Sequence, residues 1–479
     1  MISRAFTLED QLAFADFSGD YNPIHIDTIA ARRSIFGTPV VHGVHLLLWA
    51  LERWLLNKTL NIELFSIEAD FQTTTRIGEE VNYLLKAEKE GCTEIALLAE
   101  KSVTMTLKFQ WRSSSGDETS FLSSGLSTNR YECRELLLSE AANASGSLQL
   151  YINLEMYTLL FPHLAKLMPS LQIAQLLATT RLVGMECPGL HSMFSSLALA
   201  FGKETHQASI LTYQIIKLDK RFGLVLMKIT SQKMTGTITA IFRPPPQKQI
   251  GFKELRERVN GNEFSNQNAL VVGGSRGLGE VTAKLLSMGG AKVKITYHQG
   301  VEDAHRVVNE IISGGGFAEN VPFDVLDNSM NIADRLGNGW VPTHLYYFAT
   351  PFIASGRKRT FSASLFQNFC NYYVIGFQRI VEQLVAFGLK KVLYPSSVFV
   401  NDLPSNMGEY AAAKMAGEVL CTFLENTQQG LIIYKPRLPK MATDQTVRLT
   451  PADTRDPVLI ILEHLRNLRD SSLLPPEKL

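Results

Sequence analysis

Residues 268–286 read NALVVGGSRGLGEVTAKLL: an apolar run, a glycine cluster and an amphipathic run in direct succession. The first run predicts a buried strand, because strands covered on both faces are almost continuously apolar. Gly273, Gly277 and Gly279 let the next turn be tight and its backbone approach a phosphate closely. The helix that follows would turn its first N–H groups toward a pyrophosphate. Ser275, Arg276 and Leu278 lie in the same turn. Downstream, the runs AKVKITY (291–297), THLYYFA (343–349), KKVLYPSS (390–397) and GLIIYKP (430–436) have the same character. Helical stretches at 277–288, 363–387 and 408–425 lie between such runs. Alternating strands and helices predict an α/β, doubly wound parallel sheet.

Upstream, Arg243 is followed by three prolines, Pro244, Pro245 and Pro246. These can continue neither a helix nor a central strand, so they mark a boundary. Before them the texture changes to alternating strands such as ADFQTTTRIGEEVNYLLKAEKE and RFGLVLMKITSQKMTGTITAIF. A weak repeat sets Asn22-Pro23 on Met168-Pro169 and His42-Gly43 on Pro188-Gly189, an offset of 146 residues. In both copies the glycine opens an apolar run expected to be helical, VHLLLWALERW and LHSMFSSLALAF. The expected organisation is two α+β units, 1–135 and 136–248, followed by the parallel-sheet domain, 249–479.

Composition agrees with a multidomain globular chain. Its 479 residues suit about three domains of roughly 150 residues each. Hydrophobic residues at 45% and charged residues at 19% exclude a disordered chain. Forty-seven basic against 46 acidic side chains leave no field that would attract nucleic acid or an anionic membrane. Acidic residues appear by Glu9, no long apolar segment opens the chain, and no run is long enough to span a bilayer. Five scattered cysteines without a C-x-x-C pair predict reduced thiols, a cytoplasmic setting and no metal site.

Residues 18–43, SGDYNPIHIDTIAARRSIFGTPVVHG, carry the first concentration of chemistry. Asp20 and His25 lie five apart around an Asn22-Pro23 turn that Pro23 stiffens. A carboxylate and an imidazole on a rigid loop can hold a water between them and move it across an activated double bond. The backbone N–H of Gly43, at a helix start, is a candidate stabiliser of an enolate oxygen. This string closely resembles the MaoC-like hydratase/dehydratase family through G-D-x-N-P-x-H-x-D followed by F-G and H-G. The resemblance implies a hot-dog fold, here doubled, acting on (R)-3-hydroxyacyl or trans-2-enoyl thioesters. It implies Asp20 and His25 as the catalytic dyad, Asn22 as its orienting partner and Gly43 as the oxyanion hole. Of the family's F-x-x-P-V-x-x-G-D element, Phe71, Gly78 and Glu79 remain, with Thr74 in place of proline. In the repeat, Lys166, Met168, Leu171 and Ile173 fall on Asp20, Asn22, His25 and Asp27, so the second unit is expected to be structural.

The second concentration is Tyr410-Ala-Ala-Ala-Lys414. On a helix the two side chains share a face. Lys414 is expected to lower the Tyr410 pKa and hold a nicotinamide ribose, while Tyr410 exchanges a proton with a carbonyl or alcohol oxygen. Ser397, 13 residues earlier, is placed to donate to the same oxygen. With the glycine turn, these residues make 268–445 resemble the short-chain dehydrogenases/reductases. That implies a Rossmann fold, Ser397, Tyr410 and Lys414 as catalytic trio, and Asp324 and Val325 beside the adenine. Ala349 falls where the family often has N-N-A-G. Val272 replaces the usual threonine, Tyr373 stands where an asparagine is expected although Asn371 is near, and Lys435-Pro436-Arg437 replaces P-G. The second strand ends Tyr297-His298-Gln299, without the carboxylate that NAD enzymes of this fold place there, and Arg276 can pair with a 2′-phosphate. Both features favour NADP(H).

Together the two resemblances imply reduction of a 3-oxoacyl thioester and dehydration of its product, on acyl carrier protein or coenzyme A, as in fatty acid or polyketide-like synthesis. Hydration followed by oxidation, in the manner of β-oxidation, remains open. So does a dehydratase joined to a non-catalytic, nucleotide-binding scaffold. Homo-oligomers are common in both families.

Overall fold

The computed structural model describes residues 2–471 apart from 101, 115–131, 203–208, 338, 357 and 450–452. The chain divides into two units, Met1–Pro245 and Pro246–Leu479, which part within the proline triplet.

The first unit is one antiparallel sheet of ten strands. In chain order these are β1 (Ile2–Ala5), β2 (Ile62–Phe71), β3 (Glu80–Lys89), β4 (Cys92–Ala99), β5 (Ser102–Ser113), β6 (Ser145–Gln149), β7 (Ser192–Phe201), β8 (Ile210–Asp219), β9 (Leu224–Ser231) and β10 (Met234–Phe242). Their order across the sheet is β1-β3-β4-β5-β2-β7-β10-β9-β8-β6, five strands from each half. The halves join where β2 runs antiparallel to β7, with Ile67 opposite Leu199 and Asp70 opposite Ser196. Each half contributes a buried helix, Gly43–Leu55 and Ser170–Arg181. Every residue from Val44 to Leu51 is buried, so this helix is covered all round. A single hydrophobic core spans both halves.

Two expectations need correction. The run LHSMFSSLALAF is not a helix: Ser192–Phe201 is β7, in which Leu197, Leu199 and Phe201 are buried and alternate with exposed Ala198 and Ala200. Its apolar mass imitated a helix while its period was two. The offset of 146 also holds only upstream, where Leu154 begins the helix that corresponds to Leu8–Ser18. From the joining strands onward the offset is 130 to 132, as Ile62 against Ser192 and Cys92 against Leu224 show. The difference is an insertion. In the first half, residues 24–42 lie between Pro23 and the long helix; in the second, Pro169 caps Ser170–Arg181 directly. Leu171 and Ile173 are therefore helix residues, and the second half has no counterpart of His25 and Asp27.

The second unit is a six-stranded parallel sheet. Its strands are β11 (Asn268–Val272), β12 (Lys292–Tyr297), β13 (Phe317–Pro322), β14 (His344–Tyr347), β15 (Lys391–Leu393) and, after the short β16 (Ser396–Ser397), β17 (Ile432–Tyr434). The order is β13-β12-β11-β14-β15-β17, with the reversal between β11 and β14 that places ligands at the carboxyl ends of the strands. β11 shows why both faces are apolar. Ala269 and Val271 enter one core, with the helices Gly277–Met288, Val301–Ser313 and Pro457–Asp470. Leu270 and Val272 enter the other, with Phe377–Val385 and Gly408–Thr427. The edge strand β13, FAENVP, escaped sequence reading because Glu319 and Asn320 interrupt its apolar run.

Candidate active sites

In the first unit the segment between Leu8–Ser18 and Gly43–Leu55 folds as two single helical turns. Asn22 caps Pro23–Ile26 and Asp27 caps Thr28–Ala31. Asn22 does more than cap. Its Nδ2 donates to the carbonyls of Gly184 at 2.9 Å and Gly189 at 3.1 Å, tying the loop to the second half of the sheet. His25 Nδ1 lies 2.7 Å from the Val40 carbonyl, which can only accept, so Nδ1 carries the proton and Nε2 presents a lone pair.

Asp20 is 1% exposed. Its carboxylate accepts from the Thr180 hydroxyl at 2.6 Å and the Asn22 backbone N–H at 3.2 Å. Ligand atoms of Asp20, His25 and His42 lie within 4.8 Å of one another. One water making two hydrogen bonds of about 2.8 Å can bridge that span. His42, read in the sequence only as the residue before Gly43, holds the loop. It stacks on His25 at 3.7 Å between ring centroids, and its ring nitrogens face the Gln11 Oε1 and the Asp20 carbonyl. A neutral ring carries one N–H, so His42 donates to one of these two oxygens. Gly43 begins its helix without a side-chain cap, and a Cβ there would come within 2.9 Å of the Phe71 ring. Thr180 and Gly184 were not legible as site residues, since neither belongs to a motif and both lie in the other half. His191 is engaged by Glu135 at 3.0 Å.

Burial sets the charges. It pushes the Asp20 carboxyl up to about 6, against the Thr180 and Asn22 hydrogen bonds and the Arg181 charge. It pushes His25 down to about 4, with the Val40 carbonyl opposing and the Arg243 charge adding to the fall. At neutral pH the pair is a carboxylate and a neutral imidazole, with the carboxylate near enough to neutrality for its acid form to be accessible.

In the second unit, the strand-to-helix turn requires its glycines. Gly273 has a φ of +80°, and a Cβ there would lie 2.9 Å from the Ala349 nitrogen; one on Gly279 would lie 2.1 Å from the Gly273 carbonyl oxygen. Gly277, at φ +57°, has open space beside it at the start of Gly277–Met288. Ser275 is buried and Leu278 packs on the core. Tyr297 ends β12, and Asp324, just past β13, lies 3.4 Å from His298. Val325 turns its carbonyl to Arg379 at 2.9 Å. Arg276 is 3.5 Å from Asp444, so this guanidinium already has a carboxylate neighbour.

Ser397, Tyr410 and Lys414 are all buried, and Ser397 and Tyr410 share a hydrogen bond. Lys414 donates to the Pro395 carbonyl at 2.7 Å and sits 3.8 Å from the Tyr373 ring centroid and 5.0 Å from that of Tyr394. The expected lowering of Tyr410 is not found. Burial pushes Tyr410 up to about 12 and Lys414 down to about 7, so Lys414 is held by ring faces and a carbonyl while its charge is weakened by desolvation. Tyr373 fills the place expected for asparagine and hydrogen-bonds to Thr350, whereas Asn371 turns to Gln367. Arg437 pairs with Glu418 through two hydrogen bonds.

Residues 2–109 match the family model described as "MaoC like domain". Over these residues the first unit is similar to a MaoC-like domain. Over 65 residues, 14% of the chain, it is 42% identical to an uncharacterized oxidoreductase, YgfF, of Escherichia coli, a match spanning 26% of that protein. Similar solved structures include a Burkholderia cenocepacia short-chain dehydrogenase in complex with NADP, at 23% identity and TM-score 0.38 over 43% of this chain and 92% of that one. The angucycline C-6 ketoreductase LanV with bound NADP is 17% identical at TM-score 0.41, over 45% and 93%. The cysteines are free thiols, and among the described residues no helix is long and apolar enough to cross a membrane.

The buried histidines make acid stability a test of the first site. Folded His25 titrates near 4, His45 near 3, and His42 well below its ordinary value. As pH falls below about 6.5 the unfolded chain takes up protons that the folded chain refuses, so stability is lost on the way to pH 4. Asp20 acts in the opposite sense, since its folded form protonates near 6, but one group opposes three. The urea midpoint of the first unit is expected to fall from pH 7 to pH 5. An unchanged midpoint would show that these rings are not buried neutral.

Proposed function

We propose that this chain is a bifunctional acyl-thioester enzyme. One site reduces a 3-oxoacyl thioester to the (R)-3-hydroxyacyl thioester with NADPH, and the other dehydrates that product to the trans-2-enoyl thioester. The reading is supported by one observation: a single chain carries two buried constellations, Asp20 with His25 and Ser397 with Tyr410 and Lys414, whose chemistries would be consecutive on one substrate.

The glycine turn fits a dinucleotide, since its backbone leaves no room for a Cβ at Gly273 or Gly279 and opens beside Gly277. Gly273, Ser275, Gly277, Leu278, Gly279 and Ala349 would hold the pyrophosphate side, Tyr297, Asp324 and Val325 the adenosine side, and Lys414 the nicotinamide ribose. When bound, the nicotinamide supplies the hydride that reaches C3 of the substrate. Tyr410 gives its proton to the carbonyl oxygen, and Ser397 donates a hydrogen bond to the same oxygen. Arg276 and the absence of a carboxylate at the end of β12 select the 2′-phosphate, and two of the solved neighbours carry NADP.

In the dehydration, one member of the dyad removes the C2 proton while the other, protonated, delivers its proton to the departing hydroxyl. Asp20, titrating near 6, is the member that reaches the acid form near neutral pH, and His25 Nε2 is the base. The Gly43 N–H, at the start of its helix, faces the thioester oxygen as charge develops. Free thiols suit a reducing, cytoplasmic setting.

The test supplies NADPH and an acetoacetyl thioester, on coenzyme A and on acyl carrier protein, and identifies products by mass. The unaltered chain is expected to yield crotonyl thioester. Asp20→Asn is expected to stop at the hydroxyacyl compound, and Tyr410→Phe to leave the oxoacyl substrate intact. Crotonyl formation by either variant would contradict the assigned roles. Arg276→Ala is expected to raise the KM for NADPH by about tenfold or more, as loss of a charge-assisted bond would, and to change that for NADH little. Equal change for both cofactors would remove Arg276 from the phosphate site.

A further inference from the structure

We propose that the second half of the sheet unit, although it lacks a dyad of its own, supplies the seat of the first: Thr180 is the positioning residue of Asp20, and Gly184 is the wall against which that carboxylate rests. The proposal rests on the reading of Asp20 as a member of the catalytic pair.

Thr180 lies in the last turn of Ser170–Arg181 and is 3% exposed. A carboxylate can only accept at neutral pH, so the 2.6 Å bond to Asp20 Oδ2 fixes the direction of the Thr180 hydroxyl. The adjacent Thr179 shows the ordinary alternative, donating at 2.7 Å to the Leu176 carbonyl of its own helix. Thr180 has left that local bond for a residue of the other half. Beyond it the chain widens into a single π-turn, Leu182–Glu186, a distortion that interrupts helices mostly at sites of function. The π-turn brings Gly184 against Asp20: a Cβ there would lie 2.1 Å from Oδ1 and 2.6 Å from Oδ2, so only glycine admits the carboxylate. The Gly184 carbonyl accepts from Asn22, closing the seat onto the loop. Asp20 is thus gripped at Oδ2 by Thr180, at Oδ1 by the Asn22 N–H, and on its flank by Gly184.

The other groups that bear on Asp20 are His25 from its own loop, His42 on its carbonyl, Arg181 beside Thr180, and Cys133; Arg243 acts on His25. None replaces a donor on Oδ2. Without the Thr180 hydroxyl, a buried carboxylate loses its shortest hydrogen bond. Its proton affinity rises, and its direction toward the bridging water is no longer fixed.

The experiment compares the full chain with Thr180→Val, which keeps the shape and removes the hydroxyl, and with Thr180→Ser, which keeps the hydroxyl. Hydration of crotonyl thioester is followed from pH 5 to pH 8. Thr180→Val is expected to lower kcat by about tenfold or more with little change in KM, and to move the acid limb of the profile to higher pH. Thr180→Ser is expected to recover most of both, and the urea midpoint of the first unit serves as the check of folding. A Thr180→Val profile that overlays the unaltered one, or a Thr180→Ser variant as poor as Thr180→Val, overturns the proposal. Titration of carboxyl-13C-labelled Asp20, assigned with Asp20→Asn, gives a second reading that needs no turnover. An unmoved Asp20 titration in Thr180→Val refutes the seat even if crotonyl thioester proves not to be the substrate. A shifted titration in a chain without hydratase activity upholds the seat and refutes only the reaction.

Discussion

A carboxylate that is almost wholly withdrawn from water must be stabilised by something other than water, and the first unit is arranged around that requirement. Burying a charge without partners costs several kcal/mol. Asp20 offsets part of that cost by taking a hydroxyl, a backbone N–H and the nearby charge of Arg181. Two of those three come from the other half of the sheet. The doubling of the fold therefore has a chemical consequence as well as a structural one. The half that has no loop between Pro169 and its long helix carries the helix end that its partner needs.

The second unit meets the same constraint with a cation. Lys414 is buried, and burial weakens its charge until it titrates near 7. Tyrosine ring faces and the Pro395 carbonyl hold it where water cannot. Tyr373 is central to this cage, which gives a physical reason for a tyrosine where an asparagine was expected. Its ring supports Lys414 and its hydroxyl is passed to Thr350.

The parts of the fold that the sequence made legible were those in which local pattern and final environment agree. The glycine turn, the strand β11 with apolar residues on both faces, and the helix bearing Tyr410 and Lys414 are of this kind, as is the Asp20–His25 loop with its stiffening proline. The failures have physical causes. β7 is apolar enough to imitate a helix because it lies at the joint between half-sheets. β13 carries Glu319 and Asn320 because it is an edge. The repeat was misaligned because an insertion in one copy shifts everything downstream of Pro23. Thr180 and Gly184 carry no local signal, since their importance arises only when the second half packs against the first. Tyr410 was expected to be acidified by Lys414, but burial pushes Tyr410 up and weakens the charge of Lys414.

The central claim is that the two sites act in succession on one molecule, and isotope transfer tests it most directly. NADPH carrying deuterium at both C4 positions is supplied with an unlabelled acetoacetyl thioester, and the enoyl product is examined by mass and NMR. Reduction would deliver one deuteride to C3, and dehydration, which removes hydrogen only from C2, would leave that deuterium there. The account predicts trans-2-enoyl thioester with a single deuterium at C3. Enoyl product free of deuterium, or a reaction that ends at the deuterated hydroxyacyl thioester, would contradict it.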